Sequence, residues 1–123
     1  MTRHKGEVEK GWGSETIFAT NDLYCGKLLN FKQGAKFSMH MHKNKDETWH
    51  VLSGKFVVKI IDTKNADIVA HPLEKGSTWH NPPMVPHQVL CLEAGSIIEV
   101  STPDSEEDNY RVEKGDSQQI RKF

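Results

Sequence analysis

Cysteine is scarce in this chain of 123 residues, which contains only Cys25 and Cys91. Two cysteines cannot supply the disulfide framework of a small secreted domain, and free thiols are typical of a reducing compartment. No apolar run approaches the roughly 18–20 residues that a transmembrane helix needs. The first ten residues also lack the apolar region of a secretory signal. We therefore expect a cytoplasmic protein with no membrane partner.

An excess of charge of one sign is also missing. The 16 Lys and Arg residues nearly balance the 17 Asp and Glu residues, and the formal net charge is -1. Both signs are interspersed, which argues against a nucleic-acid or anionic-membrane surface. The length favours one domain with one core.

No segment shows a sustained helical period of apolar residues. The chain instead contains many short β-type runs, such as residues 55–61 and 96–101, separated by Gly, Pro, Asn and Asp. Short strands at this close spacing predict an all-β sandwich or barrel. We expect a single domain over residues 1–123, with a core of about 22–103 and polar arms at 1–15 and 104–123. The polar segment from Thr102 onward is interpreted as a surface tail that could lie along the barrel.

Residues 34–54 concentrate side chains that bind metals. His40 and His42 are two residues apart, so on a β-strand they point to the same face. Glu47 follows a short polar bend, from which the returning strand can bring it beside them. His87, bounded by prolines, is a fourth candidate. Imidazoles and a carboxylate converging from adjacent strands predict a first-row transition-metal site.

The same two-residue period assigns faces to neighbouring residues. With the histidines inside, the other residues predicted to face inward are Ser38, Glu47, Trp49, Val51, Val89 and Cys91. Those predicted to face the other side are Phe37, Met39, Met41 and His50. The interior is then apolar apart from a cluster of polar ligands, as in a small barrel with a ligand cavity.

These spacings resemble a known superfamily. The pattern Gly34-x5-His40-x-His42-x4-Glu47-x6-Gly54 matches the first motif of the cupins residue for residue. The second motif is matched by Gly76-x5-Pro82-x4-His87, with Met84 where that motif usually has Gly and Cys91 where it often has Asn. The resemblance implies a double-stranded β-helix, or jelly-roll barrel, with Cys91 a candidate for the pocket lining.

Within the cupins, the chain is similar to small proteins related to mannose-6-phosphate isomerases and to the cupin domain of GDP-mannose pyrophosphorylases. The similarity covers residues 9–15, 26–29, 45–49, 51–54, 99–103 and 110–113 in addition to the two motifs. It implies a sugar or sugar phosphate as the small-molecule partner, a role in carbohydrate metabolism, and a homodimer.

Three imidazoles and a carboxylate leave one or two open positions on a bound divalent ion. This set suits Zn, Mn, Ni, Fe or Co, and ligand identity alone does not choose among them. Glu99 interrupts an apolar strand and is the best candidate for a catalytic base, with Lys27 as a second catalytic candidate. Candidates for substrate contact are Lys36, Trp49, Asn81 and Arg111. A solvated surface position is an alternative for Lys36 and Arg111, and core packing for Trp49.

Three functions fit these residues. The first is a metal-dependent isomerase or epimerase of a sugar or sugar phosphate. The second is an Fe-dependent dioxygenase, because the same ligands support oxygen activation. The third is a non-catalytic cupin that binds a sugar or metabolite.

Overall fold

The computed structural model describes residues 6–105, 107–113 and 115. These residues form eleven strands and no helix, so none of them belongs to a helix that could cross a membrane. The strands are β1 (Gly6–Lys10), β2 (Gly13–Thr20), β3 (Cys25–Phe31), β4 (Met39–Met41), β5 (Glu47–Val51), β6 (Lys55–Ile61), β7 (Ile68–Glu74), β8 (Thr78–Asn81), β9 (His87–Glu93), β10 (Gly95–Ser101) and β11 (Tyr110–Glu113).

The strands form two antiparallel sheets. One has the order β1-β2-β3-β10-β5-β8 and the other the order β11-β4-β9-β6-β7. Consecutive strands such as β4 and β5 lie in different sheets, so the chain crosses between the sheets as it does in a jelly roll. The predicted all-β jelly-roll barrel is confirmed.

The core lies between the sheets and follows the predicted alternation. On β5, Trp49 and Val51 are buried while His50 is exposed, and on β9 Val89 and Cys91 are buried. Trp12, from the segment expected to form a polar arm, belongs to the same buried cluster.

The expectation for Phe37 is wrong. Its ring packs inward, with centroid distances of 4.7 Å to Trp12, 5.2 Å to Phe31 and 6.2 Å to Trp49. The regular strand β4 begins only at Met39. Strict alternation of faces therefore does not extend back to Phe37.

Part of the predicted polar tail lies along the barrel. β11 pairs with β4 at the edge of the five-stranded sheet, with Tyr110 opposite Met41 and Arg111 opposite His40. Asp108, just before β11, is buried. Residues 1–5, 106, 114 and 116–123 of the two expected arms lie outside the described part of the chain.

Two turns depend on left-handed backbone conformations. Gly54 has φ +86°, and a Cβ there would lie 2.6 Å from the Glu93 carbonyl oxygen, so only glycine fits between β5 and β6. Met84 also has positive φ, +74°, at the position where the cupin motif usually has Gly. Its N–H donates to the His42 carbonyl at 2.6 Å, which joins the 82–86 loop to the residue that follows β4.

Candidate metal centre

The three motif histidines meet in the structure. His40 on β4 pairs directly with His87, the first residue of β9, and His42 follows β4 by one residue. One imidazole nitrogen from each ring lies within 4.8 Å of the others. Antiparallel pairing of β4 with β9 therefore brings together ligands that are 47 residues apart in the chain, as the numbering of His40 and His87 shows.

Each ring has its Nδ1 atom engaged. His40 Nδ1 lies 2.8 Å from Ser38 Oγ, His42 Nδ1–H donates to the Asp108 carbonyl at 2.6 Å, and His87 Nδ1–H donates to the Val85 carbonyl at 3.0 Å. Such bonds fix the ring orientation and direct Nε2 toward a metal. Burial, reinforced by the neighbouring His87 and His42, lowers the pKa of His40 to about 3. His40 is therefore neutral at pH 7, as a metal ligand must be.

The Glu47 carboxylate lies beside two of the rings. Its oxygens are 3.4 Å from His87 Nε2 and 3.8 Å from His42 Nε2. Asn81 Nδ2–H donates to Glu47 Oε1 at 3.2 Å and orients the group. Burial opposes ionisation, but the adjacent His87 ring and the Lys45 ammonium outweigh it and hold the pKa of Glu47 below its usual range.

These residues fit a bound divalent ion. His87 Nε2 is a buried polar atom without a hydrogen-bond partner, a state that costs free energy when nothing compensates it. An ion coordinated by the three Nε2 atoms would provide that missing partner. The donor set of neutral imidazoles with an adjacent carboxylate suits Zn, Mn, Ni, Fe or Co.

His40 and His42 face a cavity of about 600 Å³. His40, His42 and Glu47 lie in its wall together with charged side chains from other strands and loops, which are Lys10, Glu15, Lys27, Lys45, Glu99, Asp104 and Arg111. The volume accommodates a small polar metabolite.

A network of buried charges adjoins the ligands. Lys45 Nζ lies 2.9 Å from Glu99 Oε2, 3.2 Å from Glu47 Oε2 and 3.2 Å from Asp104 Oδ1. Lys27 Nζ lies 2.9 Å from Glu15 Oε1 and 2.6 Å from Asp104 Oδ2. Both lysine side chains are at most 8% exposed. The Asp104 carboxylate thus bridges two buried ammonium groups.

The environment shifts the pKa of each central member of this network. Burial and the nearby Glu47 raise the pKa of Glu99, although Lys45 and Lys27 oppose this shift. Burial would lower the pKa of Lys45, but Glu99 and Glu47 outweigh it and hold that pKa above its usual range. A carboxyl group with a raised pKa that faces a cavity is a candidate general base.

The structure brings some of the other predicted site residues to the cavity and leaves others behind it. Lys27, Glu99 and Arg111 are in the cavity wall. Trp49 is 1% exposed, and its Nε1–H donates to Glu99 Oε1 at 3.2 Å. Asn81 lies behind Glu47.

Two other candidates do not reach the cavity wall. Lys36 forms a backbone bridge with Leu90 and is not among the lining residues. Cys91 belongs to the apolar core, where its thiol donates to the Glu93 carbonyl at 3.1 Å.

Sequence reasoning missed four residues that contact the site, namely Glu15, Lys45, Asp104 and Asp108. A signal existed for Lys45, because it precedes Glu47 by two residues and an extended chain would place both on one face. The two aspartates lie in a segment where acidic residues are frequent, so nothing in the local pattern distinguished them.

Comparison with known proteins supports the same fold. The family model described as "Cupin domain" matches residues 27–101. A mannose-1-phosphate guanylyltransferase from Salmonella muenchen is 28% identical over 112 residues, which cover 88% of this chain but 22% of that protein. The chain therefore spans less than a quarter of the length of this curated relative.

Solved structures also have a similar fold. An RmlC-like cupin from Shewanella frigidimarina has a TM-score of 0.69 and 22% identity, with 87% of this chain and 88% of the other covered. Oxalate decarboxylase from Bacillus subtilis, which has Mn(II) centres, has a TM-score of 0.73 and 22% identity, with 90% of this chain and 30% of the other covered.

Proposed function

The chain belongs to the cupin domain family, and from this premise we propose that it is a metal-dependent isomerase or epimerase of a sugar or sugar phosphate. One observation carries the proposal. Glu99, a buried carboxyl group with a raised pKa, lines the same cavity as the imidazoles of His40 and His42. A base and a metal site that face one cavity are two groups that can together catalyse proton transfer next to a carbonyl.

His40, His42 and His87 would hold the ion, with Glu47 as the fourth ligand. An ion bound there would supply Lewis acidity to an oxygen of the sugar. Glu99, in its ionised form, would remove the proton from C2 of an aldose and return it to C1. The hydroxyl proton on O2 passes to O1, so atoms and electrons balance without a co-reactant.

The surrounding residues would set the state of that base. Lys45, 2.9 Å from Glu99, stabilises the ionised carboxylate, and the Trp49 indole N–H orients it from the other side. Trp49 and Asn81 would therefore support Glu99 and Glu47 and not contact the sugar directly. Lys27 and Arg111, both in the cavity wall, would hold hydroxyl or phosphate oxygens of the substrate.

The test is exchange of carbon-bound hydrogen with solvent. Purified protein reconstituted with Mn²⁺, Zn²⁺, Ni²⁺, Co²⁺ or Fe²⁺ is incubated in D₂O with a panel of aldoses, ketoses and their phosphates, and deuterium at C1 or C2 is followed by NMR. We expect metal-dependent incorporation with at least one sugar. Glu99→Gln should reduce the exchange rate by roughly 10²-fold or more, the scale of a lost general base, while metal content stays unchanged.

Glu93→Gln is the matched control, because Glu93 is exposed on β9 and pairs only with the exposed Lys55 among the described ion pairs. Exchange that is equal in Glu99→Gln and wild type would place the base elsewhere. If metal-loaded protein binds sugars without any exchange, the chain is a binding module. Turnover that requires both iron and oxygen would identify a dioxygenase.

The homodimer stays a prediction, which light scattering on the purified protein tests.

A further inference from the structure

Asp108 anchors the turn that joins two of the candidate metal ligands. Its carboxylate accepts hydrogen bonds from three consecutive backbone N–H groups, those of Lys43 at 2.6 Å, Asn44 at 3.1 Å and Lys45 at 2.9 Å. This turn begins directly after His42 and leads to Glu47. The three N–H groups lower the pKa of Asp108 despite the opposing effect of burial, so the side chain is ionised near neutral pH.

The main chain of the same residue orients His42. The His42 Nδ1–H group donates to the Asp108 carbonyl at 2.6 Å. Because a carbonyl can only accept, Nδ1 carries a proton, and in the neutral imidazole the lone pair is then on Nε2. That Nε2 atom lies 3.8 Å from Glu47 Oε2. Asp108 therefore determines both the tautomer of His42 and the direction of its free lone pair.

The chain on either side of Asp108 contacts the same region. Asp104 bridges Lys27 and Lys45, and β11 pairs with β4 so that Arg111 lies opposite His40. The segment is therefore attached to β4, which carries His40, and to the turn that leads from His42 to Glu47. Asp108 lies in the chain between Asp104 and β11, and its own hydrogen bonds to His42 and to the 43–45 turn add to these two attachments.

We propose that Asp108 is a positioning residue of the metal centre. It holds the His42 ring and the 43–45 turn so that His42 Nε2 and the Glu47 carboxylate converge on one ion. This inference rests on the metal site of the proposed function. Loss of an outer-shell partner of this kind typically weakens metal binding by about 10–100-fold, and we expect an effect of that size here.

The test compares Asp108→Asn with Asp46→Asn. Asparagine has nearly the shape of aspartate, but its NH₂ group cannot accept from a backbone N–H. Asp46 is the matched control because it belongs to the same 43–46 bend and carries the same charge, yet its carboxylate is 48% exposed and pairs with His80. Metal-stripped proteins are titrated with Zn²⁺ against a chromophoric chelator. We expect Kd to rise about 10–100-fold in Asp108→Asn and less than about threefold in Asp46→Asn.

A second readout follows the His42 ring itself in metal-free protein. Nitrogen-15 NMR of the imidazoles should show the Nδ1–H tautomer of His42 in wild type and a mixture of tautomers in Asp108→Asn. If Asp108→Asn does not fold, Asp108→Ser, which keeps one acceptor oxygen, is measured in its place with the same expectation.

The outcomes separate the two proposals. Wild-type protein that binds Zn²⁺, together with an Asp108→Asn variant whose Kd is within threefold of wild type, would overturn the inference and leave the metal site intact. An equal rise in Kd in Asp46→Asn would show that charge alone acts and would also overturn it. Wild-type protein that binds no ion would defeat the metal site, and an unchanged His42 tautomer in the variant would then defeat the positioning role.

Discussion

The substitution Lys45→Met removes the ammonium group that lies between three carboxylates. Methionine keeps an unbranched side chain of similar length, so the packing of the stem is largely preserved. Lys45 and its nearest partner Glu99 are each 6% exposed, whereas Asp104 is 41% exposed. The contact with Asp104 is therefore screened by water and contributes little. The effect of the substitution comes from the buried Glu99 and Glu47.

Removing one partner of a buried ion pair costs about 3–5 kcal/mol, because the remaining charge is left uncompensated in the interior. We expect this loss in the free energy of unfolding at pH 8. Proton uptake by Glu99 would remove its buried negative charge and so reduce this loss of stability. Burial and Glu47 already raise the pKa of Glu99. Loss of the Lys45 charge raises that pKa further.

The sign of the pH dependence follows from proton uptake. A carboxyl group whose pKa is raised by folding binds a proton more strongly in the folded state, so stability increases as the pH falls toward the unfolded pKa. The deficit of Lys45→Met should therefore shrink by about 1.4 kcal/mol for each pH unit over which only the variant holds the proton on Glu99.

The assay is guanidinium unfolding of metal-free protein in EDTA at pH 8 and pH 6, followed by tryptophan fluorescence. Lys55→Met is the matched control, since Lys55 and its partner Glu93 are 59% and 60% exposed and their pair is worth at most about 1 kcal/mol. A loss below about 1 kcal/mol for Lys45→Met at pH 8, or a loss that does not decrease at pH 6, would refute the reasoning from buried charge.

Two further predictions concern the ligand set and the 82–86 loop. His42→Ala should reduce tightly bound metal from about one ion per chain to a small fraction, measured by elemental analysis. His50→Ala, at an exposed position on β5, is the control and should retain the metal. Full metal content in His42→Ala would contradict the site. Met84→Gly should raise the free energy of unfolding by about 0.5–1 kcal/mol, because relief of about 1–2 kcal/mol at φ +74° exceeds the extra entropy of glycine in the unfolded chain. The side chain of Met84 is 52% exposed, so little burial is lost, and a lower denaturation midpoint would show that the left-handed conformation is not strained.

Much of the candidate metal site could be predicted from the spacing of its residues in the sequence. The two-residue period of a strand places His40 and His42 on one face, and the same period correctly buries Glu47, Trp49 and Val51 while exposing His50. Local reasoning failed at Phe37, where the regular strand has not yet begun. Local reasoning also did not predict that the Trp49 indole N–H donates to Glu99, because Glu99 is 50 residues away in the chain.

The class of fold and the candidate metal-binding side chains could be predicted from the sequence, because alternation and motif spacing are properties of neighbouring residues. The surroundings of those side chains depend on the tertiary structure. Lys45 meets Glu99 through the pairing of β5 with β10, and Asp108 reaches His42 across 66 residues of chain. Such contacts depend on strand register and on the path of a loop between sheets. Neither quantity is encoded in the local pattern of polar and apolar residues, so the charge network and the anchoring of His42 became visible only in the folded molecule.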